Sequence, residues 1–168
     1  KFLFVRKYSF GKRLLLVLKK YWEDWMGFYS LVDRFIVPSE FVARTFEAAG
    51  IKQEKIVVLP HFLVSDRPAP LAPHAVVLPE RFMLSFGAIT EGKGINEAIG
   101  IAERLRIPLV LAGKKDGKFV LQSGPMTTYI GPRSQGELRF LIEKAECVIN
   151  ASTLPETFGL TALETIAL

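Results

Sequence analysis

From Arg81 onward the chain alternates short apolar runs with segments of helical period, and that alternation most narrows what it can fold into. "RFMLSFG", "PLVLAG", "TTYIGP" and "CVINAS" read as buried strands. "GINEAIGIAERLR" and "SQGELRFLIEKAE" lie between them with apolar residues at helical spacing, and Ser134 and Glu137 stand in capping-box spacing at the start of the second. A further helix begins near Leu160. Strands separated by helices of this length require crossover connections, which makes the sheet parallel and the fold class α/β, a Rossmann-like doubly wound sheet.

The first third has the same texture in a shorter form. Lys12 to Leu31 carries apolar residues near helical period and is expected to form one long amphipathic helix. "DRFIVPS" and "KIVVLP" read as two buried strands, with a helix capped by Ser39 and ended before Gly50 between them. Four of the ten prolines fall between Arg67 and Pro79, where they enforce an extended path. The expected organisation is therefore residues 1–62, a proline-rich linker at 63–80, and a second domain at 81–168. The last helix stops with its apolar face still running, and the first part holds a single βαβ unit. Both point to an incomplete domain at each end.

Composition excludes several classes. Hydrophobic residues make up 49% and charged residues 23%, as in a globular protein. The longest apolar run near the start, Leu14 to Leu18, is far short of the ~20 residues of a membrane-spanning helix. The net charge of +5 is local: seven cations and no acid lie in residues 1–20, and the remainder carries −2. Basic and aromatic residues such as Trp22, Trp25 and Tyr29 could rest on an anionic bilayer or pack within the first domain. They form no base-stacking platform, so nucleic acid is not an expected partner. The lone Cys147 sits in an apolar stretch and reads as a small core residue in a reducing cytoplasm.

Two loops carry the chemistry. Gly87 to Lys93 spells G-x-x-x-x-G-K between a strand and a helix. The next residue is Gly94, so there is no hydroxyl for magnesium, and neither "PLVLAG" nor "CVINAS" ends in the Asp of a triphosphatase. What remains is a glycine-rich turn, a helix start and the Lys93 charge, which could hold a diphosphate or merely make a tight turn. The second loop is "LPETFGLTALE". Gly159 leaves room at the start of the last helix. Glu164, about one turn in, has two acceptor oxygens suited to paired ribose hydroxyls. Glu156, on the loop, could accept from a second sugar, or both acids could be solvated.

"PETFGLTALE" resembles the E-x7-E motif of the family-4 retaining glycosyltransferases, which have the two-domain GT-B fold. "VDRFIVPSEFVARTFEAAGIKQEKIVVLPHF", "FMLSFGAITEGKGINEAIGIAERL", "IPLVLAG", "YIGP" and "GELRFLIEKAECVINAS" are similar to the family in order and spacing. The resemblance implies that residues 1–62 are the tail of the acceptor-side domain and 81–168 the domain that binds a nucleotide-sugar donor. It places Lys93 and Glu156 at the reacting centre, as the catalytic pair. It places Lys93 and Gly87 at the diphosphate, Phe158, Gly159 and Leu160 on the turn facing phosphates and sugar, and Glu164 on the ribose. The implied donor is a UDP-, GDP- or ADP-sugar, used without an obligatory metal or other cofactor. The implied acceptor is a glycan or lipid-linked hydroxyl, as in polysaccharide biosynthesis. The implied enzyme is a hexosyltransferase that is cytoplasmic, with membrane contact through residues 1–32 as an open alternative, and the fragment alone is expected to be inactive. One departure stands out: the family's arginine five residues before the lysine is Ala88 here. Lys114 and Lys115 are candidate replacements, and a degenerate, non-catalytic nucleotide-sugar module is the competing reading. His61 and His74 match no family histidine and read as linker residues.

Overall fold

A computed structural model describes residues 10–62, 69–73, 76–117, 119–121 and 124–167. The chain divides into two compact units, Lys1–Pro60 and His61–Leu168.

In the first unit, helix α1 spans Phe10–Trp25. It is shorter than its apolar periodicity suggests. Gly27 adopts a left-handed conformation (φ 62°), and Phe28–Leu31 tightens into a separate 3-10 turn held by Ser30, whose hydroxyl donates to the Gly27 carbonyl at 2.6 Å. Among the described residues no helix is long and apolar enough to cross a membrane.

Strands β1 (Phe35–Val37) and β2 (Ile56–Val58) pair in parallel with Phe35 opposite Ile56, joined by helix α2 (Glu40–Ala48). The Ser39 hydroxyl accepts from the Val42 amide, as its position before the helix predicts. Val37 and Ala43 are buried together, and Phe35 meets Phe46 edge-on at 5.6 Å. Ile36 and Val57 are exposed. The two strands are thus covered on one face only, because a single crossover helix can cover only one, which corrects the expectation of fully buried strands. The Lys55 ammonium donates to the carbonyls of Ser30 and Val32, 2.8 Å each, and ties the 3-10 turn to this unit.

The second unit contains a four-stranded parallel sheet in the order β5-β4-β3-β6. Its strands are β3 (Met83–Phe86), β4 (Leu109–Ala112), β5 (Thr127–Gly131) and β6 (Cys147–Val148). Helix α3 (Ile95–Leu105) follows β3, α4 (Gln135–Lys144) follows β5, and α5 (Leu160–Ile166) follows β6. All four residues of β3 and of β4 are buried. Alternation sends Met83, Leu109 and Leu111 to one face, against Ile95, Ala98, Ile99 and Ala102 of α3. Leu84, Phe86, Val110 and Ala112 go to the other, against Leu141 of α4 and Ile130. Helices on both faces of a parallel sheet make this a doubly wound α/β fold.

Part of the proline-rich stretch joins this unit rather than hanging free. The Leu71 amide donates to the Gly136 carbonyl at 3.0 Å, and Val76 and Leu78 pack on the α4 side of the sheet.

Two expectations change. The strand read as "CVINAS" is only two residues long, extended by one bond from the Ile149 amide to the Leu84 carbonyl. Cys147, expected in the core, is exposed. It lies on β6, the edge of the sheet, where no described strand covers its outer side.

Candidate functional site

The site lies where β3 and β6 deliver their loops, at the carboxyl ends of neighbouring parallel strands. The loop after β3 starts at Gly87 (φ 115°) and runs through the buried Ile89. Ile89 donates to the Lys114 carbonyl and accepts from the Asp116 amide, so the loops after β3 and β4 travel side by side. A 3-10 turn at Glu91–Lys93 follows, and Gly94 (φ 64°) opens α3.

The loop after β6 closes onto this turn backbone to backbone. The Thr153 amide donates to the Gly92 carbonyl at 3.1 Å, and the hydroxyls of Ser152 and Thr153 reach the same oxygen at 3.3 Å. A side chain on Gly92 would collide with Leu154. The glycines of the G-x-x-x-x-G-K pattern therefore serve a loop-to-loop contact.

That contact places Lys93 and Glu156 together. The ammonium donates to Oε1 of Glu156 at 2.6 Å, with both side chains partly shielded from solvent. The hydrogen bond from Lys93 holds the Glu156 carboxyl below its ordinary range. Burial opposes this, and Ser152 and the Lys93 charge reinforce it. Glu156 is thus ionised at neutral pH, and Lys93 is a paired cation rather than a free one.

Beside this pair is a small cleft lined by Ser85, Gly87, Ala88, Lys93, Asn150 and Thr161. Gly87 and Lys93, both singled out from the sequence, meet here. The Phe158 ring meets His61 edge-to-face at 5.1 Å and 86°. Gly159 (φ 81°) opens α5, Leu160 is exposed, and Glu164 is half-buried on the same helix. Glu164 makes no hydrogen bond or ion pair with the described residues. His74 lies outside the described residues.

Ala88 faces this cleft with a methyl group only. Lys114 and Lys115 are exposed on the strand-like segment running alongside Ile89. Neither forms an ion pair among the described residues.

Reading the sequence missed Ser85, Asn150, Thr161 and the His61 contact. Ser85 had a signal, a hydroxyl inside the otherwise apolar run "FMLSF". The others needed the fold.

Residues 2–67 match the family model described as Glycosyltransferase Family 4. No curated protein sequence matches the chain. Among solved structures, the chain is similar to Anabaena Alr3699/HepE in complex with UDP (17% identity, TM-score 0.61), covering 80% of this chain and 42% of that one. It is similar to the apo form of the lipopolysaccharide outer core galactosyltransferase WaaB (18%, TM-score 0.54), covering 80% and 41%. A third is AviGT4, a glycosyltransferase involved in avilamycin A biosynthesis (21%, TM-score 0.50), covering 77% and 41%. The chain spans less than half the length of each. At these identities the likeness is one of fold, and the family match adds the N-terminal segment. Together they agree with the resemblance read from the sequence: a Glycosyltransferase Family 4 match over residues 2–67 and a fold shared with these glycosyltransferase structures.

Proposed function

We propose that residues 81–168 bind a nucleotide-diphosphate sugar, and that residues 1–62 belong to the acceptor-side domain of a retaining hexosyltransferase. The observation that carries this reading is the 2.6 Å contact between Lys93 and Glu156 at the carboxyl ends of β3 and β6. An ammonium and an ionised carboxylate held side by side at a sheet edge suit a ligand with an anionic group next to hydroxyls. Lys93 neutralises the leaving diphosphate, Gly87 lets the phosphates approach the backbone, and Glu156 accepts from the transferred sugar. Phe158, Gly159 and Leu160 shape the turn above the donor, and Glu164 holds the ribose. Catalysis is by positioning and charge neutralisation, without an obligatory metal. The UDP bound in the Alr3699/HepE structure supports a nucleotide ligand for this fold. The acceptor is a hydroxyl of a glycan or a lipid-linked sugar, as in polysaccharide assembly at the cytoplasmic face of a membrane. Ala88 favours one other reading, a binding module that has lost catalysis.

The test is thermal stability with UDP, GDP, ADP and ATP, each with and without Mg²⁺, repeated on Glu164→Ala. Diphosphate at about 100 times its dissociation constant adds roughly 2.7 kcal/mol to the native state. The reading expects one diphosphate to stabilise the chain without metal and the variant to lose that effect. A preference for ATP that depends on Mg²⁺ overturns it.

A further inference from the structure

Helix α5 has little of its own to fix its start. It is seven residues long, too short to be stable alone, and its N-cap is Gly159, which has no side chain to cap it with. Gly159 is left-handed at φ 81°, and a β-carbon there would meet nothing within 4 Å. The glycine therefore serves backbone conformation rather than lack of room. A residue with that freedom at the head of a short helix leaves the helix direction to tertiary contacts.

The residue just before the cap makes one. Phe158 is half-buried, and its ring meets His61 with centroids 5.1 Å apart and planes at 86°, an edge-to-face geometry that aromatic pairs favour. A side chain at this position fixes the angle at which the chain enters a helix when it finds a packing partner. Here a partner comes from outside the helix, from His61, the first residue of the second unit. The segment beyond His61 is fastened too. Pro73 is buried, and a β-carbon on Gly136 would lie 2.8 Å from the Ala69 carbonyl oxygen, so the backbone of this stretch lies directly on α4.

The loop from β6 to α5 is thus fixed at three successive points. Thr153 bonds to Gly92, Glu156 to Lys93, and Phe158 packs on His61. The third lies between the ion pair and the glycine that opens α5. Without it, residues 157–160 gain freedom and Glu156 is steadied from one side less.

We propose that His61 is a positioning residue for the donor site. Its ring clamps Phe158, and through it sets the direction in which Gly159 sends α5 and keeps Glu156 against Lys93. This rests on the donor-binding reading above. His61 acts through Phe158 and needs no contact with the ligand.

The experiment compares the full chain with His61→Ala and His61→Phe, by hydrogen–deuterium exchange without ligand and by calorimetric titration with UDP, GDP and ADP. His61 is exposed, so neither variant disturbs the core. In His61→Ala, exchange across residues 157–164 is expected to quicken about three- to tenfold, the range an aromatic pair supplies. The amide of Leu163, bonded to the Gly159 carbonyl at 3.1 Å, reports on this directly. Exchange in β3 and β4 stays unchanged, and the diphosphate that binds is weakened by a similar factor. His61→Phe restores both. Unchanged exchange in His61→Ala overturns the clamp, and so does faster exchange throughout β3 and β4, which is plain destabilisation. A phenylalanine that restores neither property overturns the ring contact. Equal diphosphate affinity in all three chains, with exchange altered as expected, overturns the positioning role and leaves the donor-binding reading standing. A wild-type chain that binds none of the three overturns that reading and the positioning role with it.

Discussion

A β-carbon placed on Gly94 would lie 1.7 Å from the carbonyl oxygen of Ala151. The two loops that build the site therefore touch through bare backbone, and Gly94 is also left-handed at φ 64°. Gly94→Ala meets both obstacles. It is expected to lower stability by at least ~2 kcal/mol, read as a shift in the urea midpoint at constant slope. Gly117→Ala, where the added methyl meets nothing within 4 Å, serves as the control and should change the midpoint little.

The Lys93–Glu156 pair predicts a pH dependence. The Glu156 carboxyl titrates below its ordinary value in the folded chain. Its contribution is therefore complete above the unfolded value and is lost as pH falls through the lowered one. Because both side chains are partly exposed, the contribution is below about 1 kcal/mol. Melting temperature followed from pH 6 down to pH 3 (roughly, the range bracketing carboxylate titration) should fall more gently in Lys93→Met than in the wild type. Identical acid limbs would show that the pair adds nothing to stability.

The capping box on α4 gives a second acid-sensitive contact remote from the site. Glu137 is held at about 2, first by the Ser134 amide and then by its hydroxyl, with Arg133 also contributing. The distances are 2.9 Å to the amide and 2.8 Å to the hydroxyl. Its stabilisation is present above the ordinary glutamate range and disappears as pH falls toward that value. Ser134→Ala is expected to cost about 1 kcal/mol and to raise the Glu137 titration midpoint, observable by carboxyl NMR. An unmoved midpoint would count against the side-chain part of the cap.

Cys147 supplies a direct check on the edge position of β6. The native chain is expected to react with an aromatic disulfide reagent at one thiol per chain without denaturant, because Cys147 is the single cysteine and is exposed. Protection until unfolding would place it back in the core.

Much of the fold was legible because its causes are local. The capping box of Ser134 and Glu137, the Ser39 cap and the apolar runs of β3 and β4 all appear where short-range pattern puts them. Elsewhere a local pattern was overruled. The apolar periodicity of α1 continues past Trp25, but the left-handed Gly27 ends the helix. The apolar look of "CVIN" suggested a core cysteine, yet exposure depends on which strand has no outer neighbour.

The sequence by itself determined where most helices and strands lie, though not all their lengths, together with the α/β class and the two loops that carry the candidate chemistry. Hydrogen-bond periodicity and side-chain spacing act over a few residues, and that is their range. Only the tertiary structure decided the strand order β5-β4-β3-β6, and with it which loops meet. It also brought Lys93 to Glu156 across 63 residues. Both outcomes depend on how parallel strands stack side by side, which joins residues far apart in the chain and which no local pattern encodes.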